Sequence, residues 1–200
     1  MSDVAVAAAA ERHPIGLIVT DDLKRSRLTV FFRLLLAIPQ LVWLELWGIA
    51  AALALLVAWV AALATGRVPG GIHDFLARYV RANTHLRAYL LLLADPWPPF
   101  GGTPGSYPVD VRIDPPASQS RVSVFFRLLL AIPAFILSYV FQLVNQALAF
   151  VGWFYCLALG RMSPGMRDLS AWLLRYEVQT YAYVTLLTGR YPSLSGAPSA

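Results

Sequence analysis

Residues Arg27–Pro39 read RLTVFFRLLLAIP, and residues Arg121–Pro133 read RVSVFFRLLLAIP, an offset of 94 positions. The offset holds without a gap through nearly the whole chain. Trp59 matches Trp153, Gly66-Arg67 matches Gly160-Arg161, Asp74 matches Asp168, Arg81 matches Arg175, and Ala88-Tyr89 matches Ala182-Tyr183. Self-similarity at a fixed period marks one structural unit written more than once. The chain therefore divides into a flexible tail over residues 1–12, a first unit over 13–106 and a second over 107–200, joined through a Pro/Gly-rich stretch at 95–108.

Composition sets the environment of these units. Of the 200 residues, 58% are hydrophobic and 14% charged, against about 25% charged in ordinary soluble domains, and the mean hydropathy is +0.60. Such a chain is too apolar for disorder, and a single cysteine, Cys156, excludes a disulfide scaffold. A membrane protein is the class that remains. The net charge of +5 comes from arginines scattered singly among apolar neighbours. Nucleic-acid binding, which needs a clustered basic patch, is not expected; a bilayer with anionic head groups is.

Each unit opens with a short β-like stretch (15–20 and 109–114), in which Val109, Val111 and Ile113 alternate with polar residues. A long apolar segment follows (28–64 and 122–159), then a Gly/Pro turn and a mixed helix (72–93 and 166–187). The first apolar segment, as one helix, would reach about 55 Å across a hydrocarbon core of about 30 Å. Pro39 and Pro133 are therefore expected to break these segments into an interfacial elbow helix and a transmembrane helix. Two units this alike should insert the same way round, which takes an even number of crossings in each. The expected architecture is an all-α integral membrane protein of two tandem repeats and four crossings, with the mixed helices as polar, inward-facing spans. The competing arrangement leaves the mixed helices on the surface, with two crossings and an inverted pair. Cations flanking the spans place the termini and linker in the cytoplasm.

Ionisable and polar groups within apolar segments are the candidate site residues. Arg33 and Arg127 are matched, and suit lipid phosphate or another anion. Glu45 has Tyr139 as its mate, so its charge is not part of the shared plan. Gln142, Asn145 and Gln146 share one helix face, and their mates Gly48, Ala51 and Ala52 form a small-residue face. Close packing of the two faces, with the amides reaching backbone or Glu45, is one reading; a polar lining for a solute path is the other. His13, His73 and His85 lack ligand-like spacing, and neither a metal site nor a catalytic triad emerges, so no cofactor is expected.

The phrase FFRLLLAIP, the GR-x-x-x-G-x-x-D turn and the aromatic-rich helix after it resemble a bacterial, largely actinobacterial, membrane-protein family classed as a domain of unknown function (DUF4389). The resemblance covers about residues 13–195, in two copies, and implies a bacterial plasma-membrane protein. It brings no activity. The functional expectation is a non-enzymatic scaffold or accessory subunit that binds lipid and a protein partner or a second copy of itself. The alternative is a small transporter or channel subunit with a polar path along the mid-span residues.

Overall fold

The computed structural model describes residues 12–195, so the tail expected over residues 1–12 lies, Arg12 apart, outside the described residues. Strand β1 (Ile15–Val19) leads into helix α1 (Arg27–Thr65) and helix α2 (Gly70–Leu90). Strand β2 (Val109–Ile113), the short helix α3 (Arg121–Phe125), helix α4 (Arg127–Leu159) and helix α5 (Pro164–Val184) repeat the plan. The fold is mostly helical, with a small two-stranded antiparallel sheet made of β1 from one unit and β2 from the other.

The two units are related by a pseudo-twofold axis. In the sheet Leu17 faces Val111, its own repeat mate, so the axis passes between them. Contacts away from the sheet come in matched pairs. The Trp59 indole donates to the Val124 carbonyl at 3.2 Å, and Trp153 donates to Val30 at 2.9 Å. Gln119 N–H reaches the Gly66 carbonyl at 2.8 Å, and Arg25 N–H reaches Gly160 at 2.9 Å. The start of α1 thus meets the end of α4, while the end of α1 meets α3. The two long helices run antiparallel, perpendicular to the axis.

Burial separates the helices by role. Along α1 the buried positions Val30, Arg33, Ala37, Gln40, Leu44, Ala51, Ala58 and Ala62 form one stripe at spacings of three, four and seven, the pattern of a helix with a single protein-facing seam. Leu34, Leu41, Ile49, Leu53 and Leu56 point outward, and α4 does the same with Leu128, Ile136, Leu143 and Phe154. In contrast, α2 and α5 are buried along most of their length although they carry more polar residues. Their inner surfaces hold the sheet: the Arg81 guanidinium donates to the Val111 carbonyl, and Gln179 donates to Ile15. Among the described residues, α1 and α4 are the two helices long and apolar enough to cross a membrane.

Two expectations are corrected. The elbow at the prolines is absent, because α1 continues through Pro39 and α4 through Pro133. The second unit does interrupt its helix, but at Phe126, seven residues before the proline. The reason lies partly in the linker. Pro39 leaves the Leu35 carbonyl without its usual donor, and in the same turn the Trp97 indole donates to the neighbouring Leu36 carbonyl at 2.9 Å, which fastens the linker over the proline. Gln40 and Trp43 donate in turn to Pro99 and Phe100, at 3.2 and 3.1 Å. The second correction concerns the direction of the long helices: as crossings, α1 and α4 would have to run in opposite directions, since they lie antiparallel, and not in the same direction as the four-crossing arrangement expects. Because the helix already runs through this site, Pro39→Ala should keep the far-ultraviolet helix signal and raise the unfolding midpoint in detergent. A lost helix signal, or a lower midpoint, would show that the proline bend is required.

Candidate functional site

The matched arginines are built into helix ends. Arg33 is 2% exposed, and its guanidinium donates to the carbonyls of Tyr89 and Ala94 and to the Asp95 carboxylate. Arg127, also 2% exposed, donates to Tyr183 and Thr188 at 2.8 Å each and to the Gln119 side chain. Each guanidinium lies over a tyrosine ring, at 4.2 Å from Tyr89 and 4.3 Å from Tyr183. Tyr89 and Tyr183 sit in the last turns of α2 and α5, where a helix leaves carbonyls without intrahelical donors. Cations are favoured there. Both arginines therefore turn inward as helix caps, which corrects the expectation that they reach lipid phosphate.

The polar face on α4 does not meet the small face on α1. Asn145 is 1% exposed; its amide nitrogen donates to the Ser170 carbonyl at 3.3 Å, and its oxygen accepts from the Ser170 hydroxyl at 2.5 Å. The same amide lies 3.5 Å from Glu177, whose carboxylate pairs with Arg87 of α2. Gln142 and Gln146 line a cavity of about 310 Å³ closed on one side by this ion pair. Gly48 faces the Tyr79 hydroxyl instead. Glu45 is exposed and has no hydrogen bond to Gln142, Asn145 or Gln146. The expected packing of those two faces is corrected accordingly: α2 and α5 supply the partners.

A second cavity, of about 370 Å³, lies at the position related by the axis. Ala52, Leu55, Trp59, Leu128 and Val184 line it, with Arg127 at its edge. Ala52 and Leu55 are the mates of Gln146 and Ala149, and Val184 is the mate of Leu90. One groove has stayed apolar and the other has become polar.

The sheet carries a third polar cluster, which the sequence reading did not single out. Asp110 of β2 accepts from His85 at 3.1 Å and pairs with Arg81 at 3.1 Å. The His85 ring is fully buried and tilts against Tyr107 at 5.1 Å. Burial pushes the Asp110 carboxyl up, but the His85 hydrogen bond and the backbone N–H groups of Gly105 and Val111 outweigh it and hold the group below the usual carboxylate range. The signal that could have found this cluster was the mismatch at the offset: Asp110 aligns with Gly16, and Glu177 aligns with Asn83.

The geometry defines a duplicated helical protein with two long apolar helices packed against two shorter, more polar ones and a small sheet. The chain belongs to the family described as a domain of unknown function (DUF4389), which matches residues 27–101 and 121–195. No curated protein and no solved structure matches the chain. The two matched stretches are 94 residues apart, the spacing of the internal repeat, and leave β1 and β2 outside both.

Asp110→Asn tests the cluster. Loss of one partner from a buried pair costs on the order of 3 kcal/mol at neutral pH. Because the native Asp110 pKa is depressed, its contribution is present above the unfolded value near 3.9 and is lost as pH falls through the lower folded value. The variant should therefore unfold earlier at pH 7 yet show a shallower further loss below pH ~4. Equal stability of the two proteins at pH 7, measured by chemical unfolding in detergent, would contradict this role.

Proposed function

We propose that the chain is a non-enzymatic membrane protein, a scaffold or accessory subunit, which lies in one leaflet with α1 and α4 roughly parallel to the membrane plane. The observation that carries this reading is the segregation of exposed apolar side chains onto α1, α3 and α4, while the sheet and its flanking arginines lie beyond α2 and α5. Contiguous exposed apolar surface of this extent marks a membrane or protein contact.

Orientation follows from the axis. The sheet sits on it, and the long helices are perpendicular to it. If those helices crossed the bilayer, the axis would lie in the membrane plane and the sheet at mid-depth. A two-stranded sheet has open edges whose backbone groups hydrocarbon cannot satisfy, and Arg112 and Asp114 at its end would be costly there. With the axis along the membrane normal, the sheet stands in water and the apolar flanks of α1 and α4 sink into lipid, as interfacial helices do. Helix length then ceases to be a difficulty. A helix of 39 residues is about 58 Å long, almost twice a hydrocarbon core, but in-plane it needs no break.

The partner surface in this reading is the water-facing sheet and linker, and the surplus arginines suit an anionic, cytoplasmic leaflet. A solute path loses its support at Asn145, which Ser170 and Glu177 shut in. Single cysteines at Ser106, Thr65 and Ser163, labelled with an impermeant maleimide in membrane vesicles, test the orientation; native Cys156 is fully buried and gives little background. All three should react from the same side. Reaction of Thr65 and Ser163 from opposite sides would replace the in-plane reading with an inverted pair of crossings. Reaction of both from the side opposite Ser106 would restore four crossings, and recovery of the chain in the aqueous fraction without detergent would end the membrane reading.

A further inference from the structure

The pseudo-twofold axis allows each arginine in one unit to be compared with its mate in the other. Arg81 has Asp110 at 3.1 Å. Its mate Arg175 has Gly16 at the position matching Asp110. Arg175 is 4% exposed, donates only to the neutral carbonyls of Leu194 and Ser195, and leaves its buried Nε–H without an acceptor. Around it lies a cavity of about 170 Å³ also lined by Arg12, His13, Arg112 and Arg190. No Asp or Glu is among the described residues that line it. Arg112 is 3.8 Å from Asp114, which is half-exposed, and its own Nε–H is likewise buried without an acceptor.

Gly16 makes room for this arrangement. A Cβ there would meet the Arg112 guanidinium at 2.6 Å, so the missing side chain lets that guanidinium lie across the strand. The buried Nε–H groups of Arg112 and Arg175, with no carboxylate among the described residues of the lining, are a demand for negative charge. The guanidinium fork matches the geometry of phosphate oxygens. The cavity is smaller than the roughly 300 Å³ at which pockets for drug-sized ligands begin, which suits a single small group.

We propose that this cavity binds an oxyanion of the phosphate class, which takes beside Arg175 the place that the Asp110 carboxylate holds beside Arg81. The site flanks the sheet, so it stands independently of how α1 and α4 meet lipid. The source is either soluble phosphate or a phosphomonoester, or else a lipid head group.

The experiment uses the full chain in detergent micelles and the variant Gly16→Asp. That substitution supplies the absent carboxylate, and the clash it creates is with the movable end of Arg112. Inorganic phosphate should raise the unfolding midpoint of the parent protein. Gly16→Asp should raise the midpoint without phosphate, and bind phosphate roughly tenfold more weakly or worse. Arg112→Gln, which leaves the Arg175 contacts in place, should weaken binding in the same direction and guards against a misfolded first variant. In a second arm the proteins are reconstituted in vesicles of phosphatidylcholine with and without phosphatidylglycerol, and co-purified lipid is measured. Phosphate binding lost in both variants supports a soluble source; retention of phosphatidylglycerol by the parent alone supports a head group. Absence of both effects, or phosphate binding by Gly16→Asp as tight as the parent's, overturns the proposal.

Discussion

A guanidinium shut away from water must be given acceptors, and in this fold Arg33 and Arg127 dictate where the chain can supply them. Each lies near the start of a long helix with 2% of its surface exposed, and Arg has only donors to offer. The nearest surplus of acceptors is the end of the next helix, where carbonyls point out of the last turn. Bonding Tyr89 and Tyr183 there ties the start of each long helix to the end of its shorter partner. A second carbonyl, from Ala94 or Thr188, must also be turned back toward the guanidinium. The chain achieves this by placing Leu92 and Leu186 in the left-handed region, at φ 62° and 61°. That conformation costs a leucine about 1–2 kcal/mol, which burial of its side chain, about 1.5–3 kcal/mol, offsets.

Duplication then repeats the backbone but not the charges. The carboxylate beside Arg33 is Asp95, and its mate is Gly189; the carboxylate beside Arg81 is Asp110, and its mate is Gly16. Both differences leave an arginine of the second unit, Arg127 or Arg175, without the carboxylate that its mate in the first unit has. Arg127 is held by the neutral amide of Gln119, at 2.6 Å, and by the face of Tyr183, with its Nε–H, like that of Arg33, left without an acceptor. Arg175 has no such substitute. Arg33 and Arg81 of the first unit are therefore closed by carboxylates, and Arg175 of the second is left open beside the sheet. Between the units the reverse has happened: Glu177 of the second pairs with Arg87 of the first, a link with no mirrored copy because their mates are Asn83 and Tyr181.

The repeat, its offset, the strand positions and the mixed helices were all legible in the residues, because periodicity and small turn residues are local signals. The helix start at Ser163-Pro164 and the left-handed Gly66 and Gly160 that end α1 and α4 are of the same kind. Pairing across the axis was not legible. Leu17 opposite Val111, or Asn145 beside Glu177, joins residues whose sequence says nothing of their distance. The arginine caps were hidden for a related reason. A lone Arg in an apolar run looks like a residue reaching out to a head group, and only the left-handed turns at Leu92 and Leu186 bring carbonyls within its reach. Leucine gives no warning of such a turn, as glycine would.

The prolines show how far the surroundings can override a local rule. Pro39 and Pro133 occupy matched places, yet the linker attends only to the first. Trp97, Gln40 and Trp43 lace residues 97–100 across the bend of α1; their mates, Tyr191, Ala134 and Leu137, cannot form the same set. The indole N–H on the Leu36 carbonyl sits next to the Leu35 carbonyl that Pro39 leaves without a donor, so the linker covers the turn that the proline weakens. The first unit thus keeps one unbroken helix through a proline, with the linker bonded across that turn. The second, without that lacing, relaxes its helix at Phe126, near the end of α1 whose Trp59 holds the Val124 carbonyl. The same contact that joins the units there also supports the carbonyl end of the short helix α3.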